Sequence, residues 1–391
     1  MPLAVYILGL TIFSVATSEF MIAGMMPSLT AAFNVSITKV GYLISIYAAS
    51  MVIGGPILTA ILIKMRIPHK RALLSLIVIY TLGQSVGAMS NSYGLMVIAR
   101  IITGVAASAC IGVALAICSN IAKPESRGRA AAVVVSGLMF ATMLGLPIAT
   151  VVGQQFGWRA SFWLVVALTA LCGIISSVML PASSKPEEAN LAAELDDFKN
   201  IHLWAAYATS GLVLGATFAA FSYFSPILTE ITGIASNRLP LLFSLYGIAA
   251  LLGNIIVGRL ADKYMLPITT AGLLVLLAAL TLFALFTQNP IISITAMMLI
   301  GLVGISMNPV LIIRVMRNSR AGPLVNTVHT SVINIGLAVG SWLGGLAISS
   351  GYGLRAPLWV GAMLAVLGII SLLPYFSYKI NSPKTCYTKC E

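Results

Sequence analysis

Charge is what this sequence has least of. Charged residues make up 8% of its 391 residues, and only ten of them are acidic. A soluble domain carries about 25% charged residues, so this chain cannot build a surface that faces water. Half of the acids fall in one stretch, Ser183–Asn200, which holds Glu187, Glu188, Glu194, Asp196 and Asp197 beside Lys185 and Lys199. Alternating segments of ~10 residues are absent too, which excludes a membrane β-barrel. No G-x-x-x-x-G-K loop followed by Ser or Thr occurs, so ATP is not the expected energy source. The opening MPLAVYILGLTIF lacks a basic region and a cleavage site, and reads as a retained helix. His69, His202 and His329 stand singly, and Cys110, Cys118 and Cys172 lie in apolar segments. Cys386 and Cys390 have no further ligand nearby, so the tail reads as reduced, with no metal and no bound cofactor.

What is present is apolar length. Hydrophobic residues make up 59% of the chain, in runs near 20 residues, each able to cross a hydrocarbon core of ~30 Å. Breaks at charge clusters, Gly/Pro turns and Asn-rich bends predict helices near 5–27, 40–62, 72–90, 93–118, 130–152 and 161–181. After Ser183–Asn200 come 203–227, 240–260, 267–287, 290–313, 326–349 and 356–378. The fold class is an all-α polytopic membrane protein, with halves at 1–182 and 201–378, a linker at 183–200 and a tail at 379–391.

The net charge of +12 invites a nucleic-acid partner, but its distribution argues for a membrane. Seventeen Lys and Arg residues fall in one set of loops and the tail, against four (Lys39, Arg159, Arg238 and Arg355) in the opposite set. The positive-inside rule then places both termini and the linker in the cytoplasm. The partners expected are membrane lipid and a small-molecule substrate, with no nucleic acid.

The halves look like copies. At an offset of 199, Ser45, Tyr47, Gly54 and Lys64 match Ser244, Tyr246, Gly253 and Lys263, and at an offset of 196 Gly157-Trp158-Arg159-Ala160 is echoed by Gly353-Leu354-Arg355-Ala356. Six helices return the chain to its starting side, so these are parallel repeats, as in transporters whose site lies between the halves.

Motifs then carry a resemblance. Gly258-Arg259-Leu260-Ala261-Asp262-Lys263 is similar to the G-x-L-a-D-R loop of the major facilitator superfamily. In the first half the corresponding places hold Thr59 and Ile63, although the basic run Lys64, Arg66, Lys70 and Arg71 remains. Arg100-Ile101-Ile102-Thr103-Gly104 is similar to the R-x-x-x-G motif of the twelve-helix drug:proton antiporter group. Gly137, Gly145-Leu146-Pro147 and Gly153, followed by Gly157-Trp158-Arg159, resemble that group's helix-5 motif and turn. Segments such as 218–233 and 334–361 resemble the branch of sugar, chloramphenicol and purine-nucleoside exporters.

The resemblance implies a bundle of twelve helices in two six-helix repeats, in the plasma membrane of a bacterium. It implies export of a drug or metabolite by a monomer, driven by the proton gradient. A sugar or nucleoside exporter, or a facilitative uniporter, would share the fold. Gating is implied for Gly258, Asp262 and Lys263 with Lys64 and Arg71, close helix packing for Gly137, Gly145 and Gly153, and a bend of the span for Pro147, which frees a carbonyl. Phe218, Phe221, Tyr246, Asn308 and Asn334 are the expected substrate cavity. Glu19 is the only acid well inside a span, and a cation within a span, such as Arg100, costs roughly 2.5–3.5 kcal/mol. In such folds helices 1 and 4 line the cavity, so the resemblance allows Glu19 to carry the proton with Arg100 as its partner.

Overall fold

The computed structural model describes residues 2–123, 127–181, 198–319 and 323–375. Most of the acidic linker and the tail with Cys386 and Cys390 lie outside the described residues. The described chain is helical without a strand, and twelve of its segments are long and apolar enough to span a membrane. We number the spans α1 (Leu3–Gly24), α2 (Ile37–Lys64), α3 (His69–Ala88), α4 (Tyr93–Ile121), α5 (Arg129–Phe156) and α6 (Trp158–Met179). After the linker come α7 (Ile201–Phe221), α8 (Leu239–Leu260), α9 (Met265–Leu285), α10 (Pro290–Arg317), α11 (Pro323–Ala347) and α12 (Ala356–Tyr375). An even number of spans puts Pro2 and Tyr375 on one face of the bundle, called here the terminal face, opposite the far face.

Starts follow local chemistry. Ser92 Oγ accepts from Leu95 N to cap α4, and Asn289 Oδ1 accepts from Ile291 N and Ile292 N ahead of α10, with Pro290 preset for the first turn. Several predicted helices turn out to be interrupted. α1 ends at Gly24, and a short helix, Met26–Phe33, continues with Pro27 in its first turn. α5 passes through a π-turn, Ala141–Gly145, just before Pro147, whose ring cannot donate an amide hydrogen. α10 breaks at Gly304 and resumes at Asn308. In lipid a broken helix must still satisfy its carbonyls, and Ser306 Oγ donates to those of Gly301 and Leu302. The resumed helix runs to Arg317, so Arg314 is a buried helical cation rather than a loop charge.

The repeat is visible in three dimensions. A Cβ on Gly104 would lie 2.5 Å from the Tyr47 carbonyl, and one on Gly301 would lie 2.8 Å from the Tyr246 carbonyl. The pairs α2–α4 and α8–α10 therefore cross at equivalent points. Likewise Gly137 of α5 seats against the backbone of Gly9 in α1, as Gly336 of α11 seats against Gly211 in α7.

The halves meet toward the far face. The Tyr223 hydroxyl donates to the Ser341 carbonyl at 3.1 Å and lies so close to Gly41 that an added Cβ would collide with it. Ser341 Oγ donates to the Gly41 carbonyl at 3.4 Å, and Gln154 Nε2 donates to the Ser236 carbonyl at 2.7 Å. One stripe of α1 records the change along the seam. Phe20 is buried and stacked 6.2 Å from Phe218, Phe13 is half-buried, and Leu10 and Tyr6 are 39% and 53% exposed. The space between the halves closes at the far face and opens toward the terminal face.

Candidate transport site

Four helices of the first half build a buried polar locus. α1 supplies Ser18 and Glu19, α2 Tyr47, α3 Tyr80 and Gln84, and α4 Arg100; all six side chains are buried. Arg100 Nη1 donates to the Ser18 carbonyl at 2.9 Å and to Ser18 Oγ at 3.1 Å. Ser18 Oγ in turn donates to Gln84 Oε1 at 2.9 Å, and the Tyr80 hydroxyl donates to the Val15 carbonyl at 3.1 Å. The guanidinium lies over the Tyr47 ring, with Cζ 4.1 Å from its centroid. Arg100 Nε and Nη2 and Gln84 Nε2 are buried without hydrogen-bond partners. Glu19 shares the electrostatic neighbourhood of Arg100, Tyr47 and Tyr80, yet no Arg100 hydrogen bond reaches it. The arrangement therefore holds a carboxyl close to idle donors without joining them.

The second half repeats the scaffold and not the charges. Gly9 and Gly211 are equivalent, which sets Phe221 where Glu19 stands, and Gly104 and Gly301 set Met297 where Arg100 stands. Tyr246 keeps the place of Tyr47, its ring 5.2 Å from Phe221 and its hydroxyl unpartnered like that of Tyr47.

A cleft of about 310 Å³ lies between α1 and α5 of the first half, lined by Tyr6, Leu10, Phe13, Ser136, Phe140 and Leu144 among others. It is apolar apart from two hydroxyls. The aromatics expected to line the cavity are elsewhere in this conformation. Phe218, Phe221 and Tyr246 are buried among Phe20, Phe224 and Phe243, because the seam is shut at their depth. Asn308 is half-buried at the α10 break with its Oδ1 unpartnered. Asn334 Nδ2 donates to the Thr330 carbonyl one turn back on its own helix.

Of the helix-5 residues, Gly137 meets α1 at Gly9 and Phe13, Gly145 meets Thr17, and Gly153 meets Met25 and Ser161. Pro147 is buried just beyond the π-turn. The terminal-face motif is spread out. A Cβ on Gly258 would touch nothing within 4 Å, so the close approach expected of that glycine is not made here, where the terminal end of the seam is open. The Asp262 side chain is exposed, and its backbone carbonyl accepts from Arg317 of its own half. Lys263 lies 5.0 Å from the Tyr264 ring centroid, and Lys64 and Arg71 are exposed.

Ser18, Tyr80 and Gln84 were not singled out by sequence reasoning. The available signal was a tyrosine and a glutamine one turn apart in an apolar span, together with a serine adjoining the acid of the first span.

Comparison with known proteins gives a consistent placement. The family model described as Major Facilitator Superfamily matches residues 8–328. A chloramphenicol resistance protein of Streptomyces lividans is 28% identical over 382 residues, spanning 96% of each chain. The inner membrane transport protein YdhP of Escherichia coli K12 is 29% identical over 384 residues, 97% of each chain. Among solved structures, a bacterial homolog of the human lysosomal transporter Spinster, in an inward-facing and occupied conformation, superposes with a TM-score of 0.74. That match is 14% identical and covers 97% of this chain and 98% of the other, which speaks to fold alone.

Proposed function

The chain belongs to the major facilitator superfamily, and from that membership we propose that it exports a small amphipathic molecule in exchange for protons. It is a multi-pass membrane transporter and not an enzyme. The observation that carries the antiport reading is Glu19, the one buried carboxyl among the described residues, beside an Arg100 whose Nε and Nη2 have no hydrogen-bond partner. A charge left in a membrane interior is by default functional. Burial favours the neutral acid, whereas a guanidinium drawn closer favours the carboxylate. Rocking of the halves changes what the second half packs against α1, where Phe20 now meets Phe218, and with it the burial of Glu19, which takes up a proton in one state and releases it in the other.

The cleft between α1 and α5 supports the substrate class. Apolar and aromatic walls with two hydroxyls suit a neutral or weakly polar organic molecule, and the similarity to a chloramphenicol resistance protein favours a drug of that kind. In this reading the terminal face is cytoplasmic, the membrane is a bacterial inner membrane, and a single chain suffices, since the passage lies between its own halves. The test is substrate-induced proton movement in proteoliposomes across a panel of phenicols, nucleosides and sugars. Saturable substrate exchange without proton movement would favour the facilitative uniporter instead.

A further inference from the structure

The transport reading makes no use of the second buried arginine. Arg314 lies three residues before the end of α10 at the terminal face and is 1% exposed. Its Nη1 donates to Thr209 Oγ1 of α7 at 2.6 Å, and that hydroxyl lies 2.7 Å from Ser371 Oγ of α12. Its Nη2 is buried with no hydrogen-bond partner. No carboxylate among the described residues stands beside it; the ring beside it is that of Tyr375, with its centroid 4.9 Å from Cζ. A buried guanidinium with a spare donor and no carboxylate beside it among the described residues has room for an anion, and guanidinium geometry matches a phosphate or carboxylate through two parallel bonds.

What covers Arg314 is thin. The Tyr375 hydroxyl lies 3.1 Å from Nδ1 of the exposed His202 and also within hydrogen-bonding reach of the Arg314 side chain. Both rings sit at the level where a bilayer presents its headgroups. Trp204 marks that level one turn into α7, half exposed and with its indole N–H donating to the Phe198 carbonyl. Exposed Arg259, Lys263 and Arg317 on the same face add positive potential, which concentrates acidic lipid at a membrane surface.

We propose that Arg314, roofed by Tyr375 and His202 and flanked by Thr209, is a receptor for a phosphate group, supplied by the headgroup of an acidic phospholipid in the leaflet at the terminal face. The Tyr375 ring swings aside, the phosphate takes its place over the guanidinium, and Nη2 and the His202 ring bond its oxygens. α7, α10 and α12 are thereby tied together at the end that opens during transport, so the bound lipid steadies the second half.

Purified full-length protein, melted with increasing phosphatidylglycerol, phosphatidylcholine or inorganic phosphate, tests this. Phosphatidylglycerol is expected to raise the melting point of the wild type, and Arg314→Gln to weaken that response roughly tenfold or more in concentration. Phosphatidylcholine should leave both unchanged. An Arg314-dependent shift with inorganic phosphate alone would support the phosphate site while assigning it to a soluble ligand. Equal shifts in the wild type and Arg314→Gln would overturn the proposal and leave Arg314 a packed structural cation. Should Arg314→Gln fail to fold, His202→Ala and Tyr375→Phe provide the readout by retention of phosphatidylglycerol in native mass spectrometry. Unchanged retention in both would equally overturn it.

Discussion

The Arg100 guanidinium lies over the face of Tyr47, its Cζ 4.1 Å from the ring centroid, while the Tyr47 hydroxyl has no hydrogen-bond partner. The ring therefore acts through its face. Tyr47→Phe is expected to leave the melting temperature unchanged or slightly higher, because a buried unpaired hydroxyl is removed. Tyr47→Leu loses a desolvated cation–π contact of about 2 kcal/mol and should melt several degrees lower. Equal melting of the two variants would show that the ring face contributes nothing.

A second expectation concerns the far-face closure. Tyr223 fills the space above Gly41 and Gly345 so closely that a methyl on either would strike its ring or hydroxyl. Gly41→Ala should penalise the state closed at the far face by roughly 1–3 kcal/mol, shifting its population about tenfold. Spin labels at the far ends of α2 and α11 would report longer distances than in the wild type. Tyr223→Ala in the Gly41→Ala background should restore closure, since it removes the colliding group.

Asp262 bears on the opposite end. Its carboxylate is exposed here and its backbone, not its side chain, holds Arg317. The gating proposed for it would act in the other state, in which the terminal ends of the halves approach. Asp262→Asn should leave the thermal stability of this open form unchanged and slow transport cycles. Normal turnover would reduce the motif to a turn.

The direction of insertion can be read with a cysteine at Ala192. If the terminal face is cytoplasmic, a membrane-impermeant thiol reagent labels that cysteine only after cells are permeabilised. Labelling of intact cells would invert the topology, and with it the sense of export.

Much of the architecture was legible from periodicity and charge. Twelve apolar runs and the placement of Lys and Arg identify the spans, since hydrocarbon thickness and backbone satisfaction allow little else. Breaks inside spans were partly legible. Pro147 marks a bend by its missing amide hydrogen, and the π-turn lies just before it, whereas the break at Gly304 occurs in a run as apolar as any other and is bridged by Ser306. Glu19 and Arg100 stood out as charges in lipid, whereas Ser18, Tyr80 and Gln84 became visible only once α1, α3 and α4 were packed. Arg314 was misread because its charge, close to a basic loop, looks like part of that loop until Thr209 and Tyr375 are seen around it. The asymmetry between the halves was half legible. Tyr47 and Tyr246 align in the sequence, but Phe221 opposite Glu19 and Met297 opposite Arg100 emerge from the glycine contacts that fix the register.

The central claim is that Glu19 carries the proton, and transport by Glu19→Gln in proteoliposomes tests it most directly. Two rates are compared with the wild type: accumulation of substrate against its gradient under an imposed pH difference, and exchange of labelled for unlabelled substrate with no gradient. The account predicts that Glu19→Gln loses accumulation and its pH dependence while keeping substrate binding and exchange, because a glutamine mimics the protonated acid without releasing a proton. Accumulation at the wild-type level with unchanged pH dependence would contradict it, and would make Glu19 a structural carboxyl.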